Sequence, residues 1–153
     1  MKSTHSSDAL ALALLELVGM LNSPRQDEIL LREAGVSLDR ALFPLLVRIG
    51  MVKSLNISEL AEQVGRDHST VSRQTAKLEK LGLIRRTQSK RDQRVREASI
   101  SGDGRGLVEA ITKARRRLFG RLLSDWTEGD VRALSRLNRR LADAMRAGQS
   151  RRS

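Results

Sequence analysis

The 153-residue chain has no cysteine and no tyrosine, and only two histidines and two prolines. Each shortage closes off a chemistry. Without cysteine there is no disulfide scaffold, thiolate zinc site, cysteine nucleophile or thiol redox sensor. His5 and His68 cannot alone build a multi-histidine metal site, so no metal and no cofactor is expected. Aromatic residues make up 2% of the chain (Phe43, Phe119 and Trp126), too few to stack the bases of a single-stranded nucleic acid. There is no Walker loop, no Ser/His/Asp spacing and no carboxylate pair in a cleft-like context, so no catalytic residue is expected and the chain does not read as an enzyme. The longest apolar run, residues 9–21, is broken by Glu16 and Gly19. As a helix it would span about 20 Å, short of the roughly 30 Å hydrocarbon core. No membrane partner is expected, and the cytoplasm is the expected location.

Positive charge is abundant: 29 Lys and Arg against 18 Asp and Glu, a formal net charge of +11. Residues 1–64 carry −2, residues 65–104 carry +5 and residues 105–153 carry +8, so the excess begins abruptly at Gly65. A uniform solubility coat would not divide in this way. A basic protein without stacking residues is expected to read phosphates and grooves, which makes double-stranded DNA the leading partner. The length suits one domain able to bury a core without staples.

Hydrophobic spacing predicts mostly helix. Residues 8–21 form a helix apolar almost all round, including Leu10, Leu14, Leu17 and Leu21, which is expected to be buried on more than one side, the second by another subunit. Ser23-Pro24 resembles a cap followed by proline in the first turn, with Gly35 ending that helix. Ser37 is expected to cap the next helix, which Pro44 kinks or shortens. A short helix from Asn56 to Val64, a turn at Gly65, and a second helix capped by Asp67 have the form of a helix-turn-helix. Val71, Thr75, Leu78 and Leu81 are expected on the buried face of that second helix. Residues 83–87 and 95–100 read as two strands of a charged hairpin. Ser101–Gly104 punctuates the chain before two long helices, the second opened by a capping box at Thr127–Asp130 and carrying Leu134, Leu137 and Leu141. The terminal residues 150–153 read as a short basic tail that frays.

The ordered set Ser58-Glu59-Leu60-Ala61, Gly65, Ser69-Thr70-Val71-Ser72-Arg73-Gln74, Leu78-Glu79, Gly82-Leu83-Ile84-Arg85-Arg86, Asp92-Gln93-Arg94 and Gly104-Arg105 resembles the winged helix-turn-helix of MarR-family transcriptional regulators. Outside these roughly fifty residues the likeness rests on helix count and order. The resemblance implies a mostly α fold with a small β-hairpin wing, in which N- and C-terminal helices form a dimerisation bundle. Residues 1–55 would support and dimerise, residues 56–101 would read DNA, and residues 102–153 would dimerise. It also implies a homodimer, and a small-molecule effector acting between the reading lobe and the bundle. Arg66 stands where the family usually places an apolar residue, which predicts a differently packed turn.

Ser69, Thr70, Ser72, Arg73 and Gln74 lie near the N-terminus of the second helix, where side chains reach base edges. Gln pairs with adenine, and Arg with guanine or phosphate. Lys77, one turn on, is a candidate phosphate contact, and His68 reads as an exposed residue beside the cap. At the wing tip, Arg91 and Arg94 are candidate DNA contacts beside Lys90. By resemblance Arg94 enters the minor groove and Asp92 braces it. Leu10, Leu14, Leu17, Leu21, Leu134, Leu137 and Leu141 are the candidate dimer interface, whereas Arg115–Arg117 and Arg139-Arg140 read as a solvated face. The expected function is a sequence-specific regulator, a repressor, bound as a homodimer to a pseudo-palindromic duplex site. The alternatives are a non-specific architectural DNA-binding protein and a winged-helix protein–protein adaptor.

Overall fold

A computed structural model describes residues 4–151; residues 1–3 and 152–153, the ends of the first and third expected segments, lie outside the described residues. The elements in chain order are α1 (Thr4–Leu21), α2 (Pro24–Ala34), α3 (Phe43–Gly50), β1 (Leu55–Asn56), α4 (Ile57–Val64), α5 (His68–Lys80), β2 (Ile84–Gln88), β3 (Arg96–Ile100), α6 (Gly102–Leu122) and α7 (Glu128–Ser150). The chain divides into two compact units between Arg115 and Arg116.

The first unit is built on one apolar cluster. Leu45, Leu46 and Ile49 of α3, Leu60 of α4 and Val71 and Leu78 of α5 are fully buried, and Leu55, Ile84 and Ala98 close the cluster from the strands. Truncating one such leucine to alanine costs about 2–5 kcal/mol, so this cluster sets the frame on which α5 is carried. A second cluster of Leu31, Phe43 and Ile111 seats α2 and α6 against α3.

The strands form a three-stranded antiparallel sheet in the order β1-β3-β2, rather than the expected two-stranded hairpin alone. Ile84 pairs with Ile100 and Gln88 with Arg96, while Leu55 and Asn56 add a short third strand opposite Ala98 and Glu97. Asn56 then turns the chain directly into α4, its side chain accepting the Ser58 N–H at 2.7 Å.

Three further expectations are corrected. Ser37 does not cap a helix: the Asp39 carboxylate accepts the Ala41 N–H at 2.9 Å and organises a turn, so α3 starts at Phe43 with Pro44 in its first turn. Proline there lacks an N–H the helix does not need, and no kink results. Leu81 is 58% exposed, because α5 ends at Lys80 and the left-handed Gly82 (φ 76°) turns the chain so that Leu83 takes the core position instead. Residues 102–104, expected to punctuate the chain before the long helices, form the first turn of α6. Ser101 caps it, its hydroxyl accepting the Gly104 N–H at 3.1 Å and donating to the Gly82 carbonyl at 2.5 Å.

In the second unit Thr127 caps α7 by accepting the Asp130 N–H at 3.1 Å. No described residue of α7 is buried: Leu134 and Leu137 are exposed and Leu141 half-buried. In the first unit α1 likewise leaves Leu10, Leu17 and Leu21 exposed, with Leu14 half-buried. Among the described residues no helix is long and apolar enough to cross a membrane.

Candidate nucleic-acid interface

The α4–α5 turn depends on Gly65, whose φ of 66° lies in the left-handed region that glycine enters without a Cβ penalty. Asp67 then starts α5. Its carboxylate accepts the Thr70 N–H at 2.9 Å, the Ser69 hydroxyl at 2.5 Å and the Thr70 hydroxyl at 2.6 Å. These bonds, that of Ser69 first, hold the Asp67 carboxyl well below the usual carboxylate range. Ser69 and Thr70, both expected at base edges, therefore direct their hydroxyl protons at the cap. Thr70 Oγ1 also accepts from Arg73 at 3.3 Å, so cap, hydroxyl and guanidinium form one chain that aims Arg73.

The faces of α5 are sharply divided. Val71, Thr75 and Leu78 are buried, whereas Ser69, Arg73 and Lys77 form an exposed stripe with Ser72 half-buried at its edge. His68 is exposed beside the cap. Gln74 lies off that stripe. Its Oε1 accepts from the Arg66 guanidinium at 2.8 Å, and the same guanidinium nitrogen donates to the Ala41 carbonyl at 2.7 Å.

The wing is anchored to α5 by Glu79 and Arg86, two residues of the motif set whose pairing is not among the expectations. Glu79 accepts the Arg86 backbone N–H at 2.8 Å and pairs with its guanidinium at 3.1 Å. The seven-residue spacing spans the α5–β2 turn, and only folding brings the two together. The N–H bond, chiefly, pulls the Glu79 pKa below its ordinary value of 4.5. A group whose folded pKa is depressed stabilises above its unfolded pKa, and that contribution fades as pH falls through the folded value. The gap in urea midpoint between the wild type and Glu79→Gln is therefore expected to stay constant from about pH 7 to pH 5 and to close towards pH 3. A gap unchanged at pH 3 would show that the carboxylate charge contributes nothing to this anchor.

At the wing tip the Ser89 N–H bonds to the Val95 carbonyl at 2.8 Å, closing the loop. Asp92 braces Arg94 mainly through the backbone, its carboxylate accepting the Arg94 N–H at 3.0 Å. The ion pair to the Arg94 Nε is looser, at 3.7 Å, and leaves the Arg94 side chain 94% exposed. Lys90 and Arg91 are exposed as well. Arg73, Lys77 and Arg91 have no carboxylate partner within salt-bridge distance among the described residues.

A cleft of about 850 Å³ opens on the other flank of α5. Arg40, Arg48, Arg66 and Arg115 line it with Asp27 and Asp39, beside an apolar floor that includes Phe43, Pro44 and Val47. Burial raises the Asp27 pKa, and Arg40 opposes that rise.

Residues 38–95 match the MarR family model, a stretch that runs from the segment before α3 to the wing tip. The chain is 31% identical over 108 residues to the HTH-type transcriptional regulator YxaD of Bacillus subtilis, an alignment covering 71% of this chain and 76% of that one. It is 32% identical over 91 residues to the HTH-type transcriptional repressor MdtR of the same organism, covering 60% of this chain and spanning only 59% of the length of MdtR. The crystal structure of MarR superposes with a TM-score of 0.76 at 25% identity, covering 90% of this chain and 93% of that one. The α4–turn–α5 unit with its anchored wing, and this likeness in sequence and fold, lead to one assignment: the chain belongs to the MarR family of transcriptional regulators.

Proposed function

We propose that this regulator represses transcription from the cytoplasm by binding, as a homodimer, a pseudo-palindromic duplex site. One observation carries the reading: the outward stripe of α5 and the wing tip present Arg73, Lys77 and Arg91 without a carboxylate partner among the described residues, and Arg94 exposed with only a loose pair to Asp92. Arg73 and Ser72, with the Ser69 and Thr70 oxygens, face base edges in the major groove, Lys77 and Arg91 hold phosphate, and Arg94 enters the adjacent minor groove. Leu10, Leu14, Leu17 and Leu21 of α1 and Leu134, Leu137 and Leu141 of α7 supply the dimer contacts. Exposed apolar surface of this extent marks an interaction site. In functional terms residues 56–101 read DNA, while 1–55 and 102–153 support and dimerise. The cleft takes the effector, a small anion with an apolar body, since its arginines outnumber its aspartates.

Selection of bound duplexes from a random library tests this. The expected product is a symmetric motif whose half-sites lie about 10–10.5 base pairs apart, preferred over unrelated DNA by roughly a thousandfold or more. Small carboxylates added to the same assay should weaken the complex. Salt-sensitive binding without a motif would make the protein architectural, and no retardation of any duplex would make it an adaptor.

A further inference from the structure

Arg66 directly follows the turn glycine, and its geometry does more than fill space. The left-handed Gly65 ends α4, and the Arg66 N–H closes that end on the Ala61 carbonyl at 3.1 Å. Its side chain then runs back along α5, where one guanidinium nitrogen reaches both the Ala41 carbonyl ahead of α3 and Oε1 of Gln74. Both acceptors are neutral oxygens, and a charged donor makes each bond stronger than an amide–amide bond. Arg66 and Gln74 are both half-buried, at the wall of the cleft beside α5.

Reading adenine with a glutamine needs both ends of its amide: the oxygen accepts from N6 and the nitrogen donates to N7. In this protein the oxygen is already held from inside. We propose that Arg66 is a positioning residue for DNA recognition: through Gln74 it fixes the roll of α5 against the segment leading into α3, and it withdraws Gln74 from base reading. This rests on α5 being the DNA-reading helix. Gln74 then acts as a strut, and base discrimination falls to the exposed stripe of Ser69, Arg73 and Lys77 with Ser72.

The test measures motif, operator affinity and thermal midpoint for Gln74→Glu, Gln74→Leu, Arg66→Leu and the double Leu variant, using the operator selected by the wild type. Gln74→Glu keeps an oxygen for Arg66, so the latch predicts the same motif and an affinity within about threefold of wild type. A Gln74 that faced bases would instead carry a carboxylate towards DNA and lose about a hundredfold or more. Arg66→Leu frees the amide. It is expected to lower the specificity ratio about tenfold, to bring in adenine at one position of each half-site, and to lower the thermal midpoint by several degrees as both bonds are lost. Gln74→Leu should cost affinity without altering the motif, and the double variant should lose no more than either single one. Loss of binding by Gln74→Glu, or an Arg66→Leu protein with wild-type motif and ratio, overturns the latch alone. A wild type that selects no motif overturns the latch and the DNA reading together.

Discussion

Gly104→Ala is expected to destabilise the protein by about 3 kcal/mol, lowering the thermal midpoint by roughly 6–12 °C. Gly104 is buried in the first turn of α6, and a Cβ there would collide with the Leu83 carbonyl oxygen. That carbonyl cannot retreat freely: it accepts the Ser101 N–H at 3.0 Å, and Leu83 is itself a core residue. The glycine is required for close backbone approach, not for an unusual dihedral, since Gly104 is not among the positive-φ glycines. Two residues on, Gly106 has nothing within 4 Å of a Cβ position. Gly106→Ala, in the same helix, should therefore stabilise by about 0.5–1 kcal/mol through backbone entropy alone. Thermal or urea unfolding of the two variants side by side checks both signs. Equal effects would mean that α6 does not seat on Leu83 as described.

Arg73→Ala is expected to cost about 1–3 kcal/mol of operator affinity and to relax preference at one base position, the signature of a base contact. Arg94→Ala should weaken operator binding as well, and reduce the salt slope by about one. Neither change should move the thermal midpoint much, because both side chains are exposed and neither reaches the apolar core. Asp92→Ala separates bracing from charge. It removes the acceptor of the Arg94 N–H, so affinity should fall even though a negative charge facing DNA is deleted. Binding curves at two or more salt concentrations decide the matter. If Arg94→Ala left affinity and slope intact, the wing would lie outside the groove.

Much of this architecture was legible in the chain itself. Helix ends marked by Gly35, Gly65 and Asp67 fall where their backbone chemistry puts them, because capping is local and needs no knowledge of the fold. What escaped was non-local. Leu55-Asn56 is too short to read as a strand and exists only because β3, some forty residues later, offers its free edge. The Ser101–Gly104 segment looked like punctuation, but its two glycines lie within the first turn of α6, one of them meeting the Leu83 carbonyl. The candidate DNA residues of α5 follow from residue type and position, and the structure sorts them by direction. Arg73 and Lys77 face out, Ser69 and Thr70 give their protons to Asp67, and Gln74 is held by Arg66. The Glu79–Arg86 anchor and the Arg66 bridge join residues whose meeting depends on turn geometry, which no periodicity encodes.

The bond between Glu79 and the Arg86 backbone makes helix and wing a caliper with a fixed jaw. In the proposed homodimer each protomer would then measure off one set distance from the α5 contact in the major groove to the Arg94 contact in the minor groove. A base pair inserted inside a half-site would carry the minor groove about a tenth of a turn away from Arg94. On the proposed two-fold arrangement, tolerance for such insertions would come from between the protomers, so the spacing within half-sites should be rigid across bound promoters, and any variation should fall at the centre of the site.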